Sequence, residues 1–431
     1  MTLLEHPTEA EDQSSPHGTG RRDWKAPLVL ASFAALASVL FIGFGPSGDS
    51  TFSFASQHDV ISIPAATLPT SVITMTSALA TIGIAVVSVR RVRSGQRVPS
   101  WFLAVFSLIL VIGFLAWSAN GHTLPVTGLL AGSLALSVPM VFGALGGVIS
   151  ERSGVVNIAI EGQLLSGAFV SAVVSSMTGS TVVSLVAAAA AGTLVAAVLA
   201  VFSIKYYVNQ VIVGVVVNVL VLGLTGFLYS TTLTRYADFA NSPEQLPTIT
   251  IPGLSAIPVL GPVLFNQTIV VYLIYIAVPA VFYGLYYTRW GLRLRAVGEH
   301  PKAADTVGIR VNRIRFGNVA LAGAIVGIGG AYFTIGSVGG FTKNVTSGAG
   351  YIALAAVIFG GWNPIRAALA ALLFGFASNL QSELGILGSS APSEFLLMFP
   401  YVITIAAVAG LSRHTRQPAA NGEPYISGGG S

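Results

Sequence analysis

Among the ionisable residues, Glu161 is the one whose position suggests chemistry. Of the sixteen Asp and Glu residues, the other fifteen fall in tails, loops or the ends of apolar runs, whereas Glu161 lies inside GVVNIAIEGQLLSGAF, which starts at Gly154. At 1.5 Å of rise per helical residue, ten residues beyond Glu151 is roughly 15 Å, the depth of a bilayer midplane. A carboxyl group there is costly and marks a pathway by default. The bland alternative is that it accepts hydrogen bonds from Asn157, backbone or neighbouring helices and locks a bundle. A continuous helix over 155–177 puts Asn157 and Glu161 on one face and turns Gln163 nearly the opposite way. A proton relay has no second intramembrane acid or His to use.

Asn209, Asn218 and Tyr351 are further polar points at span ends or inside spans, and Asn157, Glu161, Asn218 and Tyr351 form the candidate set for a translocation pathway. The break Gly360–Pro364 (GGWNP) reads as a turn, since Asn-Pro disfavours helix continuation, with Trp362 as an interfacial anchor. Gly323, Gly327 and Ala331 form a small-residue ridge, as do Gly143 and Gly147, which suits close helix packing.

The second informative stretch is Arg289–Arg315, seven Lys and Arg residues between two apolar runs. Pro301 is placed to begin a short helix that Gly308 ends. That helix would present Ala303, Ala304 and Val307 as a small apolar patch framed by charge, a surface suited to a partner's groove. The plainer reading is a solvated basic connector.

These residues need elements to hold them, and composition fixes the kind. With 53% hydrophobic and 9% charged residues, against roughly 25% charged in soluble domains, the chain is an all-α membrane protein. Runs of about 20 apolar residues are found near 27–45, 67–89, 101–119, 126–149, 155–177, 179–204, 208–231, 268–287, 316–338, 365–382 and 394–411, with a short piece at 349–361. The expectation is a polytopic bundle of about 10–12 spans. With the N-terminus inside, nineteen of the twenty-one Lys and Arg residues fall on the cytoplasmic side, and only Arg235 and Lys343 lie outside. Both termini are then cytoplasmic. The net charge of +5 follows this topology and gives no reason to expect nucleic acid.

Residues 1–25 read as a disordered tail, 26–120 as extra N-terminal spans, 121–411 as the core with its basic loop 289–315, and 412–431 as a second tail closing in the linker-like SGGGS. The Pro-rich stretch 232–267 reads as an outer loop. Segments from Gly154 and Asn344 share small residues and an apolar continuation, which suggests inverted repeats. Cysteine is absent, and no phosphate-binding GxxxxGK[ST] loop, HExxH motif or nucleophile elbow occurs. Catalytic residues, metal ligands and a cofactor of the chain's own are not expected.

ERSGVVNIAIEGQ (Glu151–Gln163) and WGLRLRAVGEHPKAADTVGI (Trp290–Ile309) together resemble the permease subunits of ABC importers for nucleosides and simple sugars, and the first matches the nucleoside permeases better. The resemblance covers roughly residues 126–411. It implies a bacterial plasma-membrane importer with a second permease subunit, cytoplasmic ATP-binding subunits that hold ATP and Mg²⁺, and an external substrate-binding lipoprotein. It makes Arg295–Ile309 the coupling region, with Arg295, Gly298, Glu299, Pro301, Ala303, Ala304 and Val307 as contact residues. It also places Asn157 and Glu161 on the translocation side. Ala159 departs from the family's usual Gly. A sugar permease and an ion-coupled secondary transporter are the competing expectations.

Overall fold

In a bilayer every backbone polar group must find its partner within the protein, so apolar runs of this length form helices. The structure, a computed structural model, describes residues 24–45, 47–54, 63–386 and 416–426. Ten helices among the described residues are long and apolar enough to cross a membrane, and they coincide with the first ten predicted spans. The eleventh, 394–411, lies outside the described residues, as do residues 1–23 and the closing SGGGS.

The chain divides into two compact units, Met1–Gly45 with Ser71–Leu115, and Pro46–Thr70 with Ala116–Ser431. The first contains α1 (Lys25–Ser38), most of α2 (Thr70–Arg93) and α3 (Ser100–Ser118). Leu30, Ala34, Ala85 and Phe106 form its core. Pro46–Thr70, read from the sequence as part of the N-terminal spans, groups with the second unit. There β1 (Asp49–Ser53) pairs antiparallel with β2 (Ala66–Pro69) and parallel with β3 (Thr123–Pro125). Strands this short carry no readable alternation, which is why the sequence showed only spans here.

The second unit continues with α4 (Val126–Arg152), α5 (Ile160–Thr178), α6 (Thr181–Ala200) and α7 (Gln210–Leu228). The predicted loop 232–267 holds α8 (Ala237–Ala240), α9 (Leu260–Phe265) and an antiparallel pair, β4 (Thr248–Thr250) with β5 (Asn266–Thr268). Then come α10 (Ile269–Tyr287), α11 (Arg289–Glu299), α12 (Pro301–Thr306), α13 (Val311–Phe333), the short α14 (Ala349–Phe359) and α15 (Pro364–Ile386).

Helices α4, α5 and α13 form the buried middle. Glycine lets them approach. A Cβ on Gly192, Gly323 or Gly327 would run into backbone of the facing helix, so α6 and α13 meet main chain to main chain. Gly143 and Gly147 of α4 receive Ala353 and Val357 of α14, while Gly146 receives Val326 of α13. The outward face of α7, with Ile212, Val216, Val219 and Phe227, is exposed and apolar, as a lipid-facing surface requires.

Candidate functional site

Glu161 lies in the first turn of α5 and is 8% exposed. The helix over 155–177 is not continuous: α4 ends at Arg152, Gly154 takes a left-handed φ of +91°, and helical structure resumes only at Ile160. Buried irregular backbone needs hydrogen-bond partners. Gln210 Oε1 accepts from the Val156 amide at 2.7 Å, and Asn218 Oδ1 accepts from the Gly162 amide at 2.8 Å. Ala159, at φ −74°, adopts a conformation that does not call for glycine.

The carboxylate of Glu161 reaches across to a second turn. Its Oε1 accepts from Thr346 Oγ1 at 2.6 Å and the Gly348 amide at 2.9 Å, and its Oε2 accepts from the Gly350 amide at 2.7 Å. Those amides belong to the start of α14, whose first N–H groups have no partner within the helix. Glu161 therefore caps α14 from outside while sitting in the first turn of its own helix. Each helix N-terminus carries roughly half a positive charge. Two of them offset one carboxylate, which explains a buried acid with no ion-pair partner among the described residues.

Two other candidates join this node. Asn218 Nδ2 donates to the Ile158 carbonyl at 2.8 Å and to Tyr351 Oη at 3.2 Å. Tyr351 itself is 50% exposed, so a polar edge of the node is open. Asn157 behaves otherwise than expected. It shares no helical face with Glu161, and instead it and Gln163 exchange amide hydrogen bonds at 3.2 and 3.1 Å, clasping the 157–163 turn. Sequence reasoning set Gln163 aside because it assumed one unbroken helix. Asn209 caps α7, accepting from the Val211 and Ile212 amides. Thr346 was not singled out, although NVTSGAG, dense in small and polar residues, signals a turn.

The basic stretch folds as α11, α12 and the first residues of α13. Thr288 Oγ1 caps α11 by accepting from the Gly291 amide, and Pro301 opens α12, which ends before Gly308 at φ +85°. The Arg295 guanidinium lies over the Tyr286 ring at 5.2 Å. Ala303 and Val307 are exposed, Val307 by 74%. Ala304 is a correction: it is 4% exposed and packs with Val297, Val311 and Tyr425, so it belongs to an internal contact rather than to the outward patch. Gly298 lies so close to the Arg152 carbonyl that a Cβ there has no room. Glu299 meets Arg152 at 3.9 Å, a partly exposed pair that contributes at most about 1 kcal/mol.

Three residues near this region differ from expectation. Arg315, one of the seven basic residues, is 1% exposed, and its guanidinium donates to the carbonyls of Glu423 at 2.7 Å and Ala420 at 3.4 Å. Glu151, read as a span-end acid, is buried and accepts from Trp362 Nε1 at 2.6 Å and Asn421 Nδ2 at 3.3 Å. Trp362 is accordingly a buried donor, not an interfacial anchor. It sits in the predicted turn, where Gly361 and Trp362 both take positive φ, and its carbonyl accepts from Arg152 Nε at 3.0 Å.

Residues 129–408 match the family described as branched-chain amino acid transport system / permease component. The chain belongs to this family and is a multi-pass membrane permease component of the ABC transporter class. It is 40% identical over 306 residues to the guanosine ABC transporter permease protein NupQ of Bacillus subtilis, an alignment covering 69% of this chain and 95% of that one. It is 38% identical over 308 residues to the nucleoside ABC transporter permease protein NupC of Lactococcus lactis, covering 69% and 96%. A putative glucose ABC transporter permease protein of Haloferax volcanii, TsgC13, is 33% identical over 300 residues, covering 65% and 91%. No solved structure matches the chain.

Proposed function

We propose that this chain is the transmembrane permease of an ATP-driven nucleoside importer. The observation that carries this reading is the similarity, over 69% of this chain, to two proteins named as guanosine and nucleoside permeases, at higher identity than to the putative glucose permease. In this reading an external binding lipoprotein delivers the nucleoside, and a second permease subunit, a different chain, completes the path. Cytoplasmic ATP-binding subunits hold ATP and Mg²⁺ and drive the cycle. The basic residues orient both termini and the α11–α12 region to the cytoplasm.

Arg295, Glu299, Pro301, Ala303 and Val307 serve the ATPase contact, with Ala303 and Val307 offering the exposed apolar surface and the buried Gly298 and Ala304 supporting it from beneath. Asn218, Glu161 and Tyr351 line or position the path, with Tyr351 the residue open to a passing ligand. Asn157 acts indirectly, by fixing the turn that presents Glu161.

The test is uptake of radiolabelled guanosine and adenosine by the assembled importer in proteoliposomes, with and without internal ATP, in competition with ribose and glucose. ATP-dependent uptake displaced by nucleosides is expected, and Ala303→Trp should abolish it while the chain still inserts. Displacement by sugars alone would redirect the substrate assignment to sugars. Uptake driven by an ion gradient without any ATPase would overturn the reading.

A further inference from the structure

The segment Arg416–Ile426 is far in sequence from everything it touches, and its contacts gather on two places at once. On one side it holds the α11–α12 region. The Ala420 amide donates to the Gly298 carbonyl at 2.9 Å, the Ala419 amide to Glu299 Oε2 at 3.2 Å, and Tyr425 Oη to Asp305 Oδ2 at 2.7 Å. The Tyr425 ring is buried with Val297, Ala304 and Val311. On the other side it holds the junction between α4 and α5. The Gly422 amide donates to the Gly154 carbonyl at 3.3 Å, and Asn421 Nδ2 donates to the buried Glu151.

Arg315 fastens the middle. Its guanidinium donates to carbonyls on either side of Asn421, so two of the segment's own carbonyls receive a buried cation. Charge-assisted bonds of this kind are about twice as strong as neutral ones. With the segment gone, Arg315 and Glu151 would both lose partners in a buried setting, a costly arrangement.

We propose that Arg416–Ile426 is a coupling strap: it transmits displacement of α11–α12 to Gly154, and hence through the 154–159 turn to Glu161 and the start of α14. The inference rests on the importer reading and adds a positioning element to it. The direct link between α11 and the junction is slight, a close packing of Gly298 on Arg152 and one partly exposed ion pair. Packing of that kind resists a push from α11 but not its withdrawal. The strap's backbone bonds to both Gly298 and Gly154 supply the missing pull.

Deleting residues 416–431 in the assembled importer tests this in proteoliposomes, with guanosine uptake and ATP hydrolysis measured together. The expected result is hydrolysis within about a factor of two of the intact complex and uptake lower by at least tenfold. Unchanged uptake would overturn the strap. Loss of the ATP-binding subunit from the purified complex would also overturn it, since the segment would then serve assembly.

Should the shortened chain fail to accumulate, Ala420→Pro removes the amide N–H that bonds the Gly298 carbonyl and leaves the rest of the segment in place. A loss of about threefold or more in uptake with hydrolysis retained is expected, and intact uptake would overturn the proposal. An intact complex without ATP-dependent uptake would instead remove the importer reading and the strap with it. Intact uptake that persists in the deletion removes the strap alone.

Discussion

Two buried polar nodes in the second unit solve the same problem with opposite materials. At Glu161 a lone anion is met by N–H and O–H donors at the start of α14 while it sits in the first turn of α5. At Arg315 a buried cation is met by carbonyls of a separate segment, and its Nε has no hydrogen-bond partner among the described residues. The first node is built into packed helices and directs its three hydrogen bonds at the start of one of them. The second depends on eleven residues of irregular chain. Local stability in proteins ranges from almost nothing to the global value. The comparison assigns Glu161 to the stable end and Arg315 to the releasable one.

The strongest way to break that comparison is at Glu161. Glu161→Leu leaves the Thr346 hydroxyl and two amides unpaired in a buried site, at about 1–3 kcal/mol each. The folded protein should be largely lost in thermal unfolding followed by size-exclusion fluorescence. Glu161→Gln keeps an acceptor for Thr346 and Gly348 but turns an amide donor toward the Gly350 N–H, for a loss of about 1–3 kcal/mol. If the two variants unfold alike, the three hydrogen bonds do not carry the node.

Arg315→Met should be milder, because the lost bonds are offset by relief from holding a charge in a dry site. A net cost of no more than about 2 kcal/mol is expected. The chain has no native cysteine, so a spin label at Pro424→Cys would report on the strap alone. Its mobility should rise sharply in Arg315→Met while the melting temperature changes little. A melting loss equal to that of Glu161→Leu would erase the difference between the nodes.

The smallest expected effect is one of pH. The hydrogen bond to Asp305 raises the Tyr425 phenol above its ordinary value of 10, so the folded form holds its proton more tightly than the unfolded one. That stabilisation is fully present below pH 10 and is lost as pH rises through the elevated value. The label should loosen only in strongly alkaline solution, and Tyr425→Phe should remove the step. A step at lower pH would point to another group.

The spans and the short helix at Pro301 were legible because hydropathy and proline placement are local signals. So was the weight on Glu161, since one carboxyl in a long apolar run stands out in any window. The break at 153–159 was not, because VVNIA reads as helix or strand equally well and what stops the helix is Gly154 together with side chains from α7. Burial of Arg315 and Glu151 was out of reach for another reason. Both look like ordinary flanking charges until residues 420–423, more than a hundred positions away from Arg315, fold back over them. Ala304 was misplaced by the same omission.

The glycine contact between α6 and α13 sets a limit on how the permease moves. Where Gly192 meets Gly323 and Gly327 the contact is largely main chain, with the Ala196 methyl beside Gly323 and no side chain there that can change rotamer. The seam has almost no side-chain entropy to gain by loosening and nothing to repack if it shears. The α6–α13 pair is therefore a stiff unit that any movement must carry whole.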